Sequence, residues 1–237
     1  MNIALILSGG TGTRLGASVP KQYLEVNGQM IISYALETVL FHQSIDAVQI
    51  VAGDSWKADI EDQIHLLQEK HKDKPANPVY FSMPGENRQL SIYNGLCGIQ
   101  KYADEKSFVM VHDAARPMLT TEMVSAYFEK VKGHDGLLPV LPMKDTVYLS
   151  TNGSSVTSLL DRSQIFAGQA PEIFVLGKYI QANERLLPDA IKKINGSTEP
   201  AVLAGMDIVM VPGNERNFKI TTQMDLERFQ RSCEEKG

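Results

Sequence analysis

An uninterrupted apolar run, Ile3-Ala4-Leu5-Ile6-Leu7, leads straight into Ser8-Gly9-Gly10-Thr11-Gly12-Thr13-Arg14-Leu15-Gly16, and Pro20-Lys21 follow shortly after. The apolar run has the length of a buried strand. Four glycines between Gly9 and Gly16 leave few side chains in the way. Backbone N–H groups in such a loop can close on an anion such as a phosphate. Arg14 and Lys21 bring two cations to the same place. A strand that empties into a basic, glycine-rich loop predicts a polyphosphate site. The alternative is a tight turn that carries surface charges.

The loop is not a P-loop, because the Gly-Lys-Ser/Thr ending is missing. Gly10-x-Gly12-x-x-x-Gly16 approaches the dinucleotide fingerprint. That fingerprint opens a helix at once and needs an acidic residue about 20 positions on. Here the loop continues through Pro20 and position 30 is Met30, which argues against a nicotinamide enzyme. The string Gly-Gly-x-Gly-x-Arg-Leu-Gly with Pro-Lys resembles the signature loop of the nucleotide-sugar and cytidylyl transferases, which wraps a nucleoside triphosphate.

At 237 residues the chain fits one large domain, or one domain with an insertion. A formal net charge of −5 argues against a nucleic-acid or anionic-membrane surface. No apolar run approaches the ~18 residues of a membrane span. The chain opens on its first strand without a basic-plus-apolar leader. Cys97 and Cys233 have no metal-ligand spacing. A cytoplasmic protein with free thiols is expected.

Apolar periodicity predicts a helix over Met30–Phe41, a strand over Ala47–Val51 and an amphipathic helix over Trp56–Lys70. Val79-Tyr80-Phe81 reads as a short strand. Asn87 reads as the N-cap of the next helix, and Phe108–Val111 as a buried strand. This alternation implies a parallel sheet covered on both faces. The last of these strands runs into His112-Asp113-Ala114-Ala115-Arg116-Pro117. Ligands of open α/β sheets sit beyond the carboxyl ends of the strands. Asp113 is thus placed to hold Mg²⁺ against phosphate oxygens. Arg116 can pair with Asp113 or reach a phosphate. The alternative is an Asp–Arg pair that locks the turn before Pro117. His112 reads as a strand-end histidine without a role.

From Gly136 the pattern changes. Gly136–Val140 is one more strand. Short alternating runs then flank Thr151-Asn152-Gly153, a hairpin signal, and predict a β-arm over about 145–165 that could serve as a dimerisation device. Tyr179–Leu187 and Glu199–Ala204 read as helices and Ile208–Val211 as a strand. Thr222, with Asp225 three residues later, caps a closing helix. By themselves, Arg162 reads as a solvated hairpin charge and Lys219 as a surface lysine.

Along nearly its whole length the chain is similar to the 2-C-methyl-D-erythritol 4-phosphate cytidylyltransferases and the related ribitol-5-phosphate cytidylyltransferases. The shared blocks are the glycine loop with Pro20-Lys21-Gln22-Tyr23-Leu24, Arg88-Gln-Leu-Ser91, Val111–Pro117, Lys144-Asp-Thr146, Asp161-Arg162 and Asn217–Thr222. The resemblance implies a Rossmann-like, mostly parallel, three-layer α/β nucleotidyltransferase sheet with a projecting β-arm. It implies transfer of CMP from CTP to an alditol phosphate with release of pyrophosphate, the use of Mg²⁺, and a homodimer through an exchanged arm. Arg14, Lys21 and Lys219 would act on the triphosphate. Ser8, Gly9, Gly10, Thr11, Gly12, Thr13, Gly85, Arg88, Ser91, Asp113 and Ala114 would hold the nucleotide. Arg116, Thr146 and Arg162 would serve the acceptor, Arg162 in the neighbouring subunit.

Two segments depart from the relatives. Ala170-Pro171-Glu172 stands where they carry Thr-Pro-Gln, and their acidic segment is replaced by Ser197-Thr198-Glu199-Pro200. Gln169 or Thr198 could replace the missing threonine contact; otherwise the acceptor differs. The expected acceptor is 2-C-methyl-D-erythritol 4-phosphate, with ribitol 5-phosphate or a glycerol phosphate as alternatives. A nucleotide-binding module without catalysis is the remaining reading.

Overall fold

The computed structural model describes residues 1–10 and 19–234. The expectations for Thr11, Gly12, Thr13 and Arg14 lie outside the described residues. Strand β1 (Asn2–Leu7) opens the chain. Ile3 and Leu5 are buried in the core on one face of it, Ala4 and Ile6 in the core on the other. Both faces are covered, so the run has no place for a polar residue. A 3₁₀ turn (Lys21–Tyr23) and a two-stranded hairpin, β2 (Glu25–Val26) and β3 (Gln29–Met30), lead into helix α1 (Ile31–Leu40). The hairpin, not expected from the sequence, turns on Asn27 and Gly28 with φ of 50° and 75°. Asn-Gly is the pair that tolerates two positive φ values in succession.

Next come β4 (Ala47–Val51), α2 (Lys57–Lys70), β5 (Val79–Ser82), α3 (Arg88–Ile99) and β6 (Phe108–Asp113). Helix α3 starts at the expected cap: Asn87 Oδ1 accepts from the N–H of Leu90 at 2.8 Å. Strands β6, β1, β4 and β5 lie side by side, all parallel. Helices α1 and α2 pack on one face together with α4 (Thr121–Lys130), a helix not singled out in the sequence. Helix α3 covers the other face with α5 (Leu176–Glu184).

Beyond β6 the sheet becomes mixed. Strands β7 (Gly136–Pro142), β8 (Val147–Leu149), β9 (Ser158–Leu160), β10 (Phe166–Gly168) and β11 (Glu172–Val175) follow in order. Strand β11 lies antiparallel between β6 and β7, and β10 continues along the same edge of β7. The sequence does not announce β11, because it is short and opens on a buried glutamate. After α6 (Glu199–Leu203), β12 (Ile208–Pro212) pairs parallel with β7, and α7 (Gln223–Glu234) closes the described chain. Strands β8 and β9 form their own antiparallel ribbon, with Val147 opposite Leu160. Asn152 and Gly153 sit at its tip, where Asn152 Oδ1 accepts from the N–H groups of Ser154 and Ser155. This is the expected arm. Its second strand is shorter than the Ser155–Leu160 run, because Ser155 is bonded into the tip.

Candidate active site

Leu7 and Asp113 are paired at the carboxyl ends of β1 and β6. A cleft of about 530 Å³ opens there, lined among others by Gly10, Lys21, Arg88, Asp113 and Lys219. Two glycines let backbone segments meet at its rim. A Cβ on Gly9 would lie 2.4 Å from Pro84 Cβ, and one on Gly85 would lie 2.4 Å from Leu90 Cβ. Both distances are far inside van der Waals contact. The Gly85 N–H donates to Ser91 Oγ at 3.0 Å, and Ser91 Oγ donates to the Asn87 carbonyl. Ser91 thus ties the Gly85 loop to the first turn of α3 while lining the cleft.

Asp113 is buried at the base of the cleft and faces three cations. Its Oδ1 accepts from Arg88 Nε at 3.2 Å and Nη2 at 3.0 Å. Its Oδ2 takes Lys219 Nζ at 3.1 Å and Arg116 Nε at 3.4 Å. Burial alone would push this carboxyl up, but Arg88, Lys219 and Arg116 hold it far below the usual carboxylate range. Three positive groups against one negative group leave an excess of two positive charges, suited to an anion with several charged oxygens. Arg116 also donates to the Asn217 carbonyl at 2.8 Å, and the Ile220 N–H donates to the Ala115 carbonyl at 2.9 Å. These bonds fasten the segment that carries Lys219 onto the turn after β6. His112 is fully buried; burial lowers it to about 4 and keeps it neutral, with Nε2 at 3.0 Å from the Arg116 carbonyl.

The other expected site residues divide by position. The Ser8 side chain turns inward and donates to Tyr23 Oη at 2.8 Å. Ala114 is buried and its N–H donates to the Leu7 carbonyl; Ala115 lines the cleft instead. Thr146 and Arg162 lie exposed on the arm side, with Arg162 Nη1 donating to the Lys144 carbonyl at 2.8 Å. Gln169 is buried and exchanges two hydrogen bonds of 3.0 Å with the backbone of Asn214. Thr198 Oγ1 is buried and finds no hydrogen-bond partner among the described residues. Among the described residues the structure therefore gathers Gly9, Gly10, Lys21, Gly85, Arg88, Ser91, Asp113 and Lys219 at the cleft and brings Arg116, expected on the acceptor side, onto Asp113, while Thr146 and Arg162 lie on the arm.

Three residues to which the sequence assigned no site role, Glu172 among them as a departure from the relatives, shape the site. Gln22 Nε2 donates to the carbonyls of Ser8 at 2.8 Å and Gly10 at 2.7 Å. Asn217 Nδ2 donates to the Ala170 carbonyl at 2.8 Å, joining the Lys219 segment to the start of β11. Glu172 stands opposite Val111, two residues before Asp113 on β6. Burial pushes its carboxyl up, opposed by Arg88, and Ser197 Oγ donates to Oε1. Gln22 and Asn217 lie inside the shared sequence blocks, but nothing local distinguishes a brace from a surface amide.

Among the described residues no group of three or more His, Cys, Asp or Glu side chains could hold a metal. Asp113 is a single carboxylate, and both its oxygens already face cations. That donor set suits a Mg²⁺ that takes most of its ligands from phosphate oxygens and water. It does not form a cage for a resident ion.

An open α/β sheet with a glycine loop and a cationic cleft beyond its parallel strands defines a nucleotide-dependent transferase. The family model described as 2-C-methyl-D-erythritol 4-phosphate cytidylyltransferase matches residues 2–233. The chain belongs to this family, whose members are CTP-dependent nucleotidyltransferases. It is 33% identical over 227 residues to a ribitol-5-phosphate cytidylyltransferase of Vibrio parahaemolyticus, covering 95% of this chain and 92% of that one. It is 31% identical over 234 residues to a ribitol-5-phosphate cytidylyltransferase of Streptococcus agalactiae serotype V, covering 97% and 93%. The fold matches the 2-C-methyl-D-erythritol 4-phosphate cytidylyltransferase of Francisella tularensis with a TM-score of 0.76 at 24% identity, covering 97% and 99%. The 4-diphosphocytidyl-2C-methyl-D-erythritol synthase of Anaerococcus prevotii gives a TM-score of 0.80 at 23% identity, covering 98% and 96%.

Proposed function

We propose that this protein transfers CMP from CTP to ribitol 5-phosphate, giving CDP-ribitol and pyrophosphate. The cluster of Arg88, Arg116 and Lys219 around Asp113, beside the glycine loop, carries the reaction assignment. The acceptor rests on two relatives more than 30% identical that are named for ribitol 5-phosphate. The likeness to the methylerythritol enzymes of known structure speaks to the fold. 2-C-methyl-D-erythritol 4-phosphate is the second acceptor to test.

An oxygen of the acceptor phosphate attacks the α-phosphorus of CTP in line. The bond from that phosphorus to the bridging oxygen breaks, and pyrophosphate leaves with the electron pair. The acceptor phosphate is already an anion, so no base has to remove a proton. Positioning and charge stabilisation carry the rate. Lys21 and Arg14 would meet the triphosphate from the loop side. Lys219, now on Asp113, would turn to the phosphates, and Arg88 and Arg116 would hold Asp113 in place. Mg²⁺, when bound with the nucleotide beside Asp113, would neutralise phosphate charge.

The arm supports a homodimer. It leaves Tyr148, Val156 and Leu159 58%, 67% and 65% exposed, an apolar surface that an isolated two-stranded ribbon cannot bury. Thr146 and Arg162 sit at its base and would reach the acceptor in the partner's cleft.

Pyrophosphate release is to be measured with CTP and Mg²⁺ against ribitol 5-phosphate, 2-C-methyl-D-erythritol 4-phosphate and glycerol 3-phosphate. The expected result is the highest kcat/KM with ribitol 5-phosphate and no turnover in EDTA. A higher kcat/KM with 2-C-methyl-D-erythritol 4-phosphate would reverse the acceptor assignment. Full activity in EDTA would remove the metal.

A further inference from the structure

Gln22 is almost fully buried, yet it lies at the wall of the cleft between Lys21 and the glycine loop. Its one amide nitrogen donates to two carbonyls on either side of Gly9, those of Ser8 and Gly10. Both N–H bonds of that nitrogen are used, so the side chain works as a staple across the loop. Tyr23, the next residue, holds the same loop from below. Its hydroxyl donates to the Ser8 carbonyl at 2.8 Å and accepts from Ser8 Oγ, while its ring stacks on Trp56 at 4.2 Å. The short turn that presents Lys21 and the loop that follows β1 are thus one mechanical unit.

The staple has an electrostatic consequence. A carbonyl oxygen turned toward a triphosphate repels it, and Gly10 lines the cleft. Gln22 covers the Gly10 carbonyl with a donor and holds the buried Ser8 carbonyl with its second N–H. Because a trans peptide directs its N–H opposite to its C=O, holding the Ser8 carbonyl also fixes the direction of the Gly9 N–H. Without the amide, the Gly10 carbonyl loses this donor and the Ser8 carbonyl keeps that of Tyr23, so the Ser8–Gly9 peptide is held by one bond in place of two. Resting on the reading of the cleft as a CTP site, we propose that Gln22 is a positioning residue for triphosphate binding and transfer. It keeps the loop's carbonyls away from the phosphates and sets Lys21 against them.

The test compares the parent with Gln22→Glu and Gln22→Met, both similar in length to glutamine. Neither replacement offers the two N–H donors. CTP binding is followed by calorimetry and turnover by pyrophosphate release. Both variants should bind CTP about tenfold or more weakly and lose about 10- to 100-fold in kcat, in the range of a misaligned donor. The KM for the acceptor should stay within about twofold. Gln22→Glu should recover activity relative to the parent as pH falls towards the carboxyl's pKa, because a protonated carboxyl donates one hydrogen bond again. Gln22→Met should show no such recovery. If Gln22→Glu does not fold, the CTP and acceptor constants of Gln22→Met decide alone. Unchanged CTP affinity and kcat in either folded variant would overturn the inference and leave the cytidylyltransferase reading standing. An equal rise in both KM values with a matching loss of thermal stability would also overturn it, reducing Gln22 to a packing residue. A parent that neither binds CTP nor releases pyrophosphate would overturn the functional reading, and this inference with it.

Discussion

Asp113 and Lys219 touch each other but should fail differently when replaced. Asp113 is the buried anion of a cluster with three cations, so its removal leaves positive groups crowded without a counter-charge. Breaking a buried ion pair from one side costs about 3–5 kcal/mol. Asp113→Asn should therefore lower the denaturant midpoint markedly as well as the rate. Lys219 is partly exposed, and Asp113 keeps two arginines without it. Lys219→Met should unfold at nearly the parent midpoint while kcat falls about 10²–10³-fold, the range for loss of an aimed charge donor. Urea melts and steady-state rates on the two variants separate a structural anion from a catalytic cation. Comparable losses of stability in both would place Lys219 in the fold alone.

Helix α7 shows how an element serves the cleft from outside it. Asp225 Oδ2 accepts from the N–H groups of Thr221 and Thr222 at 2.9 and 2.8 Å and from both threonine hydroxyls. Partial burial pushes this carboxyl up, but the bonds from Thr221 and Thr222 outweigh it and draw it down to about 2. A carboxyl held below its unfolded value of about 3.9 stabilises the fold fully above that pH. The contribution fades as pH falls from about 4 towards 2. Lys219 lies just before this cap, in the segment fastened by Ile220 and Asn217. Asp225→Ala should cost about 0.5–2 kcal/mol at neutral pH, the usual range for a lost cap. It should also raise the KM for CTP and flatten the acid side of the stability curve. Denaturant titrations of parent and variant at pH 7, 4 and 3 check the sign: the difference between them should shrink as pH falls.

At the scale of the molecule, one chain carries a cationic cleft at the ends of β1 and β6 but leaves its arm uncovered. The exposed Tyr148, Val156 and Leu159 lie on an arm with little sheet behind it, and Arg162 at its base is exposed and donates to the Lys144 carbonyl. If two chains exchange arms, a charge on that surface should separate them. Val156→Asp with Leu159→Asp should run as a monomer in light scattering, keep CTP affinity within about twofold, and lose most transfer to the acceptor. A parent that is itself monomeric at micromolar concentration, yet fully active, would place the acceptor contacts within one chain.

What was legible in the sequence was local. The apolar run before Gly9, the Asn87 and Thr222 caps, the Asn152-Gly153 tip and the position of Asp113 at a strand's carboxyl end each follow from short-range periodicity or turn chemistry. Those signals were enough for an α/β sheet with a cleft at the carboxyl ends of its strands and an arm. Of the partners of Asp113, Arg116, three residues on, was legible in the same way; Arg88 and Lys219 were not. Arg88 meets it across 25 residues of chain, and Gln22 meets Gly10 across 12. A glutamine that staples a loop and a glutamine on a wet helix look the same in one dimension. Nor could the sequence alone slot β11 between β6 and β7, since the short apolar run Ile173-Phe174-Val175 leads straight into α5, and periodicity cannot tell a buried strand of that length from a helix. Sequence fixes what each segment is free to do, through backbone sterics and the spacing of apolar side chains. Only the packed sheet brings distant polar groups within hydrogen-bond range, and there the cost of burying them unpaired selects which of them meet.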